Sequence, residues 1–168
     1  MPGAIKDGTE FRINTTTSGI QYEPVMQSLP DGRIVVVWSD TSNGTDVDLR
    51  ARILAPDGQE SLAEFVVTTM TADQQYEPAI TALADGGFVV VWSDTGNGTD
   101  VDVCARVFRA DGSEAVSTFM VSSAAAADQF NPTVTTLADG RFVVAWADNS
   151  GRAPISGRAS SIPTDRKP

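Results

Sequence analysis

The chain has 168 residues, with 22 acidic against 12 basic side chains and a formal charge of −10. That charge opposes contact with nucleic-acid phosphates and anionic membranes and makes cations the expected small partners. With no histidine anywhere, histidine triads, histidine zinc sites and histidine acid–base catalysis are excluded.

Hydrophobic residues at 41% with 20% charged mark an ordered globular chain. Residues 1–8 lack the apolar core of an export signal, and no apolar run approaches a membrane span, so no membrane insertion is expected. From residue 10 onward the chain repeats. Glu10-Phe11-Arg12-Ile13-Asn14-Thr15 aligns with Glu64-Phe65-Val66-Val67-Thr68-Thr69 and Thr118-Phe119-Met120-Val121-Ser122-Ser123, each 54 residues on.

Gln21-Tyr22-Glu23-Pro24 follows, then Gln75-Tyr76-Glu77-Pro78 and Gln129-Phe130-Asn131-Pro132. Proline has no ladder donor to lose, so it marks the mouth of a strand over 25–29, 79–83 and 133–137. Asp31-Gly32, Asp85-Gly86 and Asp139-Gly140 then form hairpin turns. They lead into the runs ending in Trp38, Trp92 and Trp146, whose continuous apolar character predicts a central strand covered on both faces. Alternation over 47–53, 101–107 and 155–160 predicts a half-exposed third strand, and a second Gly turn leads to the Phe65 or Phe119 strand.

Four antiparallel strands per repeat predict an all-β fold of β-propeller-blade type. We read residues 1–168 as one domain, with repeats at about 10–63, 64–117 and 118–160 and a frayed tail over 161–168. The third repeat stops after three strands, so segment 10–16 is expected to complete its sheet. Three blades fall below the usual four to eight. Half of a six-bladed ring, closed as a homodimer, is therefore preferred over a fragment of a longer array, a threefold β-prism, or a sandwich or trefoil. Cys104 is the lone cysteine, at the position of Arg50 and Arg158, and can form no intrachain disulfide.

The pattern Gln-x-x-Pro-x-hydrophobic-x-x-Leu-x-Asp-Gly-x-Phe-Val-Val-x-Trp resembles a tandem repeat of about fifty residues in large secreted bacterial adhesins of the calcium-dependent RTX type. The resemblance covers the chain from Phe11 to about Ser160. It implies a secreted or cell-surface, non-enzymatic binding or adhesion role, often alongside calcium, although the glycine-aspartate nonapeptides of RTX calcium sites are absent.

Two sets of residues are candidates for function. The loop after each tryptophan strand supplies Asp40, Asn43, Asp46 and Asp48 in the first repeat and Asp94, Asn97, Asp100 and Asp102 in the second. Carboxylates and an amide around a glycine suit calcium; the alternative is a solvated hairpin loop whose acids cap backbone donors. The third repeat keeps Asp148 but replaces the rest.

The second set is Gln21, Tyr22, Glu23, Gln75, Tyr76 and Glu77, a sugar-stacking aromatic flanked by groups that can bond hydroxyls, as in a lectin. The alternative is that the Gln and Glu bond backbone between neighbouring repeats. Trp38, Trp92 and Trp146 are expected in the core. Paired acids such as Glu23 and Glu77 could serve a glycosidase, but symmetry gives no way to tell acid from base, so no enzyme is expected. A carbohydrate- or surface-binding module is the preferred reading, and a ligand-free spacer or assembly repeat the other.

Overall fold

The computed structural model describes residues 9–44, 46–69, 73–96, 98, 100–122, 127–150 and 155–160, the side chains of residues 60 and 158–160 aside. Among these residues the chain is all strand: β1 (Gln21–Ser28), β2 (Ile34–Asp40), β3 (Asp48–Leu54), β4 (Glu60–Val66), β5 (Gln75–Ala82), β6 (Phe88–Asp94), β7 (Asp102–Phe108), β8 (Glu114–Met120), β9 (Gln129–Thr136), β10 (Phe142–Asp148) and β11 (Ile155–Ser160). They make three antiparallel sheets, ordered β1-β2-β3-β4, β5-β6-β7-β8 and β9-β10-β11. These are propeller blades, and they meet along their first strands, β1 beside β5 and β5 beside β9. The expected fraying tail lies outside the described residues.

The hairpins form as their residues demand. Gly32, at φ 87°, donates to the Leu29 carbonyl while the Asp31 carboxylate caps the Arg33 amide, and only Gly takes that φ without penalty. The prolines depart from expectation. They sit inside the first strands, each of which begins at the Gln. The strand absorbs a residue with no amide hydrogen because its register shifts between Tyr22 and Val25, a bulge in which proline loses no ladder bond.

The core lies between blades. Alternate residues of each tryptophan strand face opposite ways. Val35 and Val37 of the first blade, with Leu49, Ala51 and Ile53, pack on Phe88, Val90, Trp92 and Phe108 of the second. Val89, Val91, Val103 and Ala105 of the second pack in turn on Phe142, Val144 and Trp146 of the third. Phe88 stacks on Phe108 at 5.0 Å, and Phe65 from the first blade meets Phe108 at 5.8 Å.

One expectation is corrected here. β3 is not half-exposed: its polar residues Asp48 and Arg52 are buried as well as its apolar ones. The covering element is the N-terminal segment, which lies against the first blade of its own chain, where Ile13 packs on Val36, Trp38 and Leu54. Among the described residues the third sheet has three strands.

The N-terminal segment is held by Glu64. Its carboxylate accepts from the backbone amides of Thr15 (2.7 Å) and Thr16 (3.2 Å) and from both hydroxyls, and it pairs with Arg50 at 3.0 Å. Burial alone would push this carboxyl up, but the bonds from Thr16 and Thr15 together outweigh it and hold the pKa down at about 2. Because the folded value lies below the ordinary 4.5, the stabilisation is complete above about pH 4.5 and is lost as pH falls toward 2. Proteolysis near Ile13 should therefore accelerate across that window. Glu64→Gln should show the fast rate already at pH 7, and an unchanged rate in that variant would refute the clamp.

Candidate functional site

The inner strands bring together the second set of candidate residues. The bulge places Glu23, Glu77 and Asn131 at φ 54°, a left-handed conformation sparsely used by non-glycine residues and maintained only where surrounding contacts fix it. The contacts are visible. Glu23 Oε2 accepts from Ser39 Oγ of its own blade at 3.1 Å and from the Glu77 amide of the next at 3.0 Å. Glu77 Oε2 repeats this with Ser93 Oγ and the Asn131 amide, both at 2.8 Å. Each glutamate thus staples one blade to the next.

The aromatics Tyr22, Tyr76 and Phe130 stand beside these glutamates and Asn131, all half-buried. The Tyr76 phenol is raised above its ordinary pKa by burial first, then by the negative field of Glu77, Asp128 and Glu23, with Tyr22 adding a little. Tyr22 is raised by burial and then by Glu23. The result is an aromatic row edged by carboxylates where the blades converge.

The glutamines behave differently. Gln75 is fully buried and so has no surface to offer a ligand, and Gln129 at the same position donates to the Ala127 carbonyl at 2.6 Å. Gln21 stays half-exposed, donating to the Ser18 carbonyl (2.6 Å) and accepting from the Asn14 amide (3.2 Å).

The first set lies at the rim of each blade. Asp40 pairs with Asp48 across the β2–β3 ladder, and Asp94 with Asp102 across β6–β7. Asp40 Oδ1 caps the Ser42 amide at 2.7 Å and lies 3.6 Å from Arg50 Nε. Asp48 accepts from the Asn43 amide (2.8 Å) and the Thr68 hydroxyl (3.4 Å), and Asn43 Oδ1 caps the Asp46 amide. Burial raises the Asp48 carboxyl above the ordinary range.

In the second blade Asp94 accepts from Trp92 Nε1 (2.8 Å) and the Gly96 amide (2.7 Å), and Asp102 from Ser122 Oγ (3.0 Å). Asp100 adjoins this loop, and Asn97 lies outside the described residues. Several of these oxygens accept from turn amides and hydroxyls, Asp40 Oδ2 is buried without a hydrogen-bond partner, and the Arg50 guanidinium stands beside Asp40. Among the described residues no three acids or Cys converge as metal ligands. Cys104, in the place of Arg50, is pushed up to about 12 by burial and then by Asp94 and Asp102, which makes it an inert core thiol.

Sequence reasoning missed Ser39 and Ser93, the hydroxyl halves of the staples. The signal was present: both sit two residues before a loop in an otherwise apolar run, and the third repeat carries Ala147 where it also carries Asn131 for Glu.

No family model and no curated protein matches this sequence. Solved structures do. An endo-arabinase from Bacteroides thetaiotaomicron superposes with a TM-score of 0.57 at 15% identity, over 88% of this chain and 58% of that one. An endo-1,4-beta-xylanase from the same organism gives 0.53 at 7% identity, over 90% and 57%. A thermostable family-43 glycoside hydrolase gives 0.52 at 9%, over 83% and 53%. The chain spans little more than half the length of these structures. At such identities the likeness concerns the fold alone, which is of propeller-blade type. It overturns the expectation that no enzyme is involved, because the neighbours are glycoside hydrolases. The symmetry argument behind that expectation also fails: Glu23 is exposed, Glu77 half-buried, and the third position is Asn131, so the repeated acids are not equivalent.

Proposed function

We propose that the chain is a carbohydrate-binding propeller unit that takes a polysaccharide on the row Tyr22, Tyr76 and Phe130. The observation that carries the reading is this row of half-buried rings on the innermost strands, edged by Glu23 and Glu77. An aromatic face stacks on the apolar face of a sugar while neighbouring carboxylates accept from its hydroxyls. The endo-arabinase and the endo-1,4-beta-xylanase among the structural neighbours make arabinan and xylan the first ligands to try, and polymers of that class would be met outside the cell.

Native gel electrophoresis through arabinan or xylan is the test. At least one polymer should retard the wild-type chain. Tyr76→Ala should weaken binding by about two- to tenfold, since a lost stacking contact is worth about 0.5–1.5 kcal/mol, while Tyr76→Phe should keep it. No retardation by either polymer would overturn the choice of ligand, and equal retardation of Tyr76→Ala would overturn the site.

A hydrolytic reading is favoured by one further fact, the placement of two carboxylates, Glu23 and Glu77, on adjacent inner strands. Release of reducing ends by the wild type and its loss in Glu23→Gln would establish it; no release would exclude it for these polymers.

A further inference from the structure

We propose that the front of the first blade is the docking face for the third blade of a second copy of this chain, whose open sheet takes segment 10–16 as its fourth strand. Two copies would close a ring of six blades by a twofold axis.

The segment already stands in the place of a preceding blade. The Arg52 guanidinium donates to the Ile13 carbonyl. In the next blade Arg106, 54 residues on, donates in the same way to the carbonyl of Val67 at 2.6 Å, and Val67 directly follows β4 of the blade in front. Ile13 is therefore to the first blade what the end of a fourth strand is to the second.

What is missing beside it is the rest of that blade. A cavity of about 180 Å³ lies there, lined by Ile13, Tyr22, Pro24, Val36 and Trp38 among others. In the second and third blades the same position is filled by the preceding blade: Gln75 and Gln129 are buried, as are Pro78 and Pro132, whereas Gln21 is half-exposed and Pro24 exposed.

The complementary surface is the back of the third blade. β11 is its edge, and Ile155 is 77% exposed. Its residue sizes match the first blade's front. Between the first and second blades Val37 and Leu49 share a cluster with the small Cys104. The third blade has Ala145 and Gly157 where those two stand, and the first blade has Arg50 where Cys104 stands, so small residues would meet the large one.

By the register that pairs Ala51 with Phe65, Ala159 of one copy would pair with Phe11 of the other. Mixing Phe11→Cys chains with Ala159→Cys chains under mild oxidant should yield a covalent species at twice 17.7 kDa, while neither variant alone should; Cys104 is buried and inert. Sedimentation of the unmodified chain at micromolar concentration should give the same doubled mass. A monomer at 100 μM would overturn the proposal. So would a cross-link that forms only when both cysteines share one chain, because the segment would then close its own third sheet.

Discussion

Trp92→Ala is expected to cost about 3–5 kcal/mol, through lost burial and a cavity that the two flanking sheets cannot collapse into. Trp92 is 1% exposed and packs in the cluster between the first and second blades, and its Nε1 donates to the buried Asp94. The substitution thus removes both the filling of an interface and one of the donors to a buried carboxylate. In a chain of this size the melting temperature should fall by roughly 6–20 °C, and the urea midpoint should fall with little change in slope. Trp38→Ala serves as the control. Within one chain Trp38 packs on Val36, Leu54 and Ile13 and not on another blade, so in the separated chain its loss should cost visibly less. Equal costs at the two positions in the separated chain would show that blade-to-blade packing does not dominate stability.

The tryptophan strands were legible because they carry two signals at once, a run too short for a buried helix and a fixed repeat that places it three times. The turns were legible because Asp-Gly has few conformations compatible with flanking apolar runs. The face covering β3 was not legible. The alternation of Asp48, Arg50 and Arg52 with Leu49, Ala51 and Ile53 states that two faces differ, but not that a separate segment will cover the polar one. Nothing local in Phe11 to Thr15 says which sheet it joins; Glu64 decides that, from a distance of about fifty residues.

The bulge was hidden for a different reason. Gln-x-x-Pro reads as a strand entrance under local rules, and only the partner strand shows that Pro24 sits inside the ladder at a register shift. The two roles weighed for the glutamates also proved compatible, since one oxygen can hold the neighbouring blade while the residue still edges the aromatic row.

That staple yields the second large effect. Glu77→Ala should cost about 2–3 kcal/mol, because the Ser93 hydroxyl and the Asn131 amide lose a charged acceptor at the junction of two blades. The left-handed φ is no easier for Ala than for Glu, so the strain stays while the contact that maintained it goes. Glu77→Gln keeps an acceptor of the same reach and should lose only about half as much. Glu77→Asn, the residue nature places at position 131, relaxes the backbone because Asn tolerates this φ, yet falls one methylene short of the next blade.

Hydrogen exchange at the Asn131 amide separates these cases. Protection should drop by about two powers of ten in Glu77→Ala, in keeping with a loss of 2–3 kcal/mol. In Glu77→Gln it should fall about tenfold, and in Glu77→Asn close to the Ala value even though global stability recovers in part. Ser93 Oγ also accepts from this amide, at 3.1 Å, so Ser93→Ala combined with Glu77→Ala should remove the residual protection. An Asn131 amide that exchanges no faster in Glu77→Ala than in the wild type would show that strand packing alone joins the second and third blades, with the glutamate a passenger at the bulge.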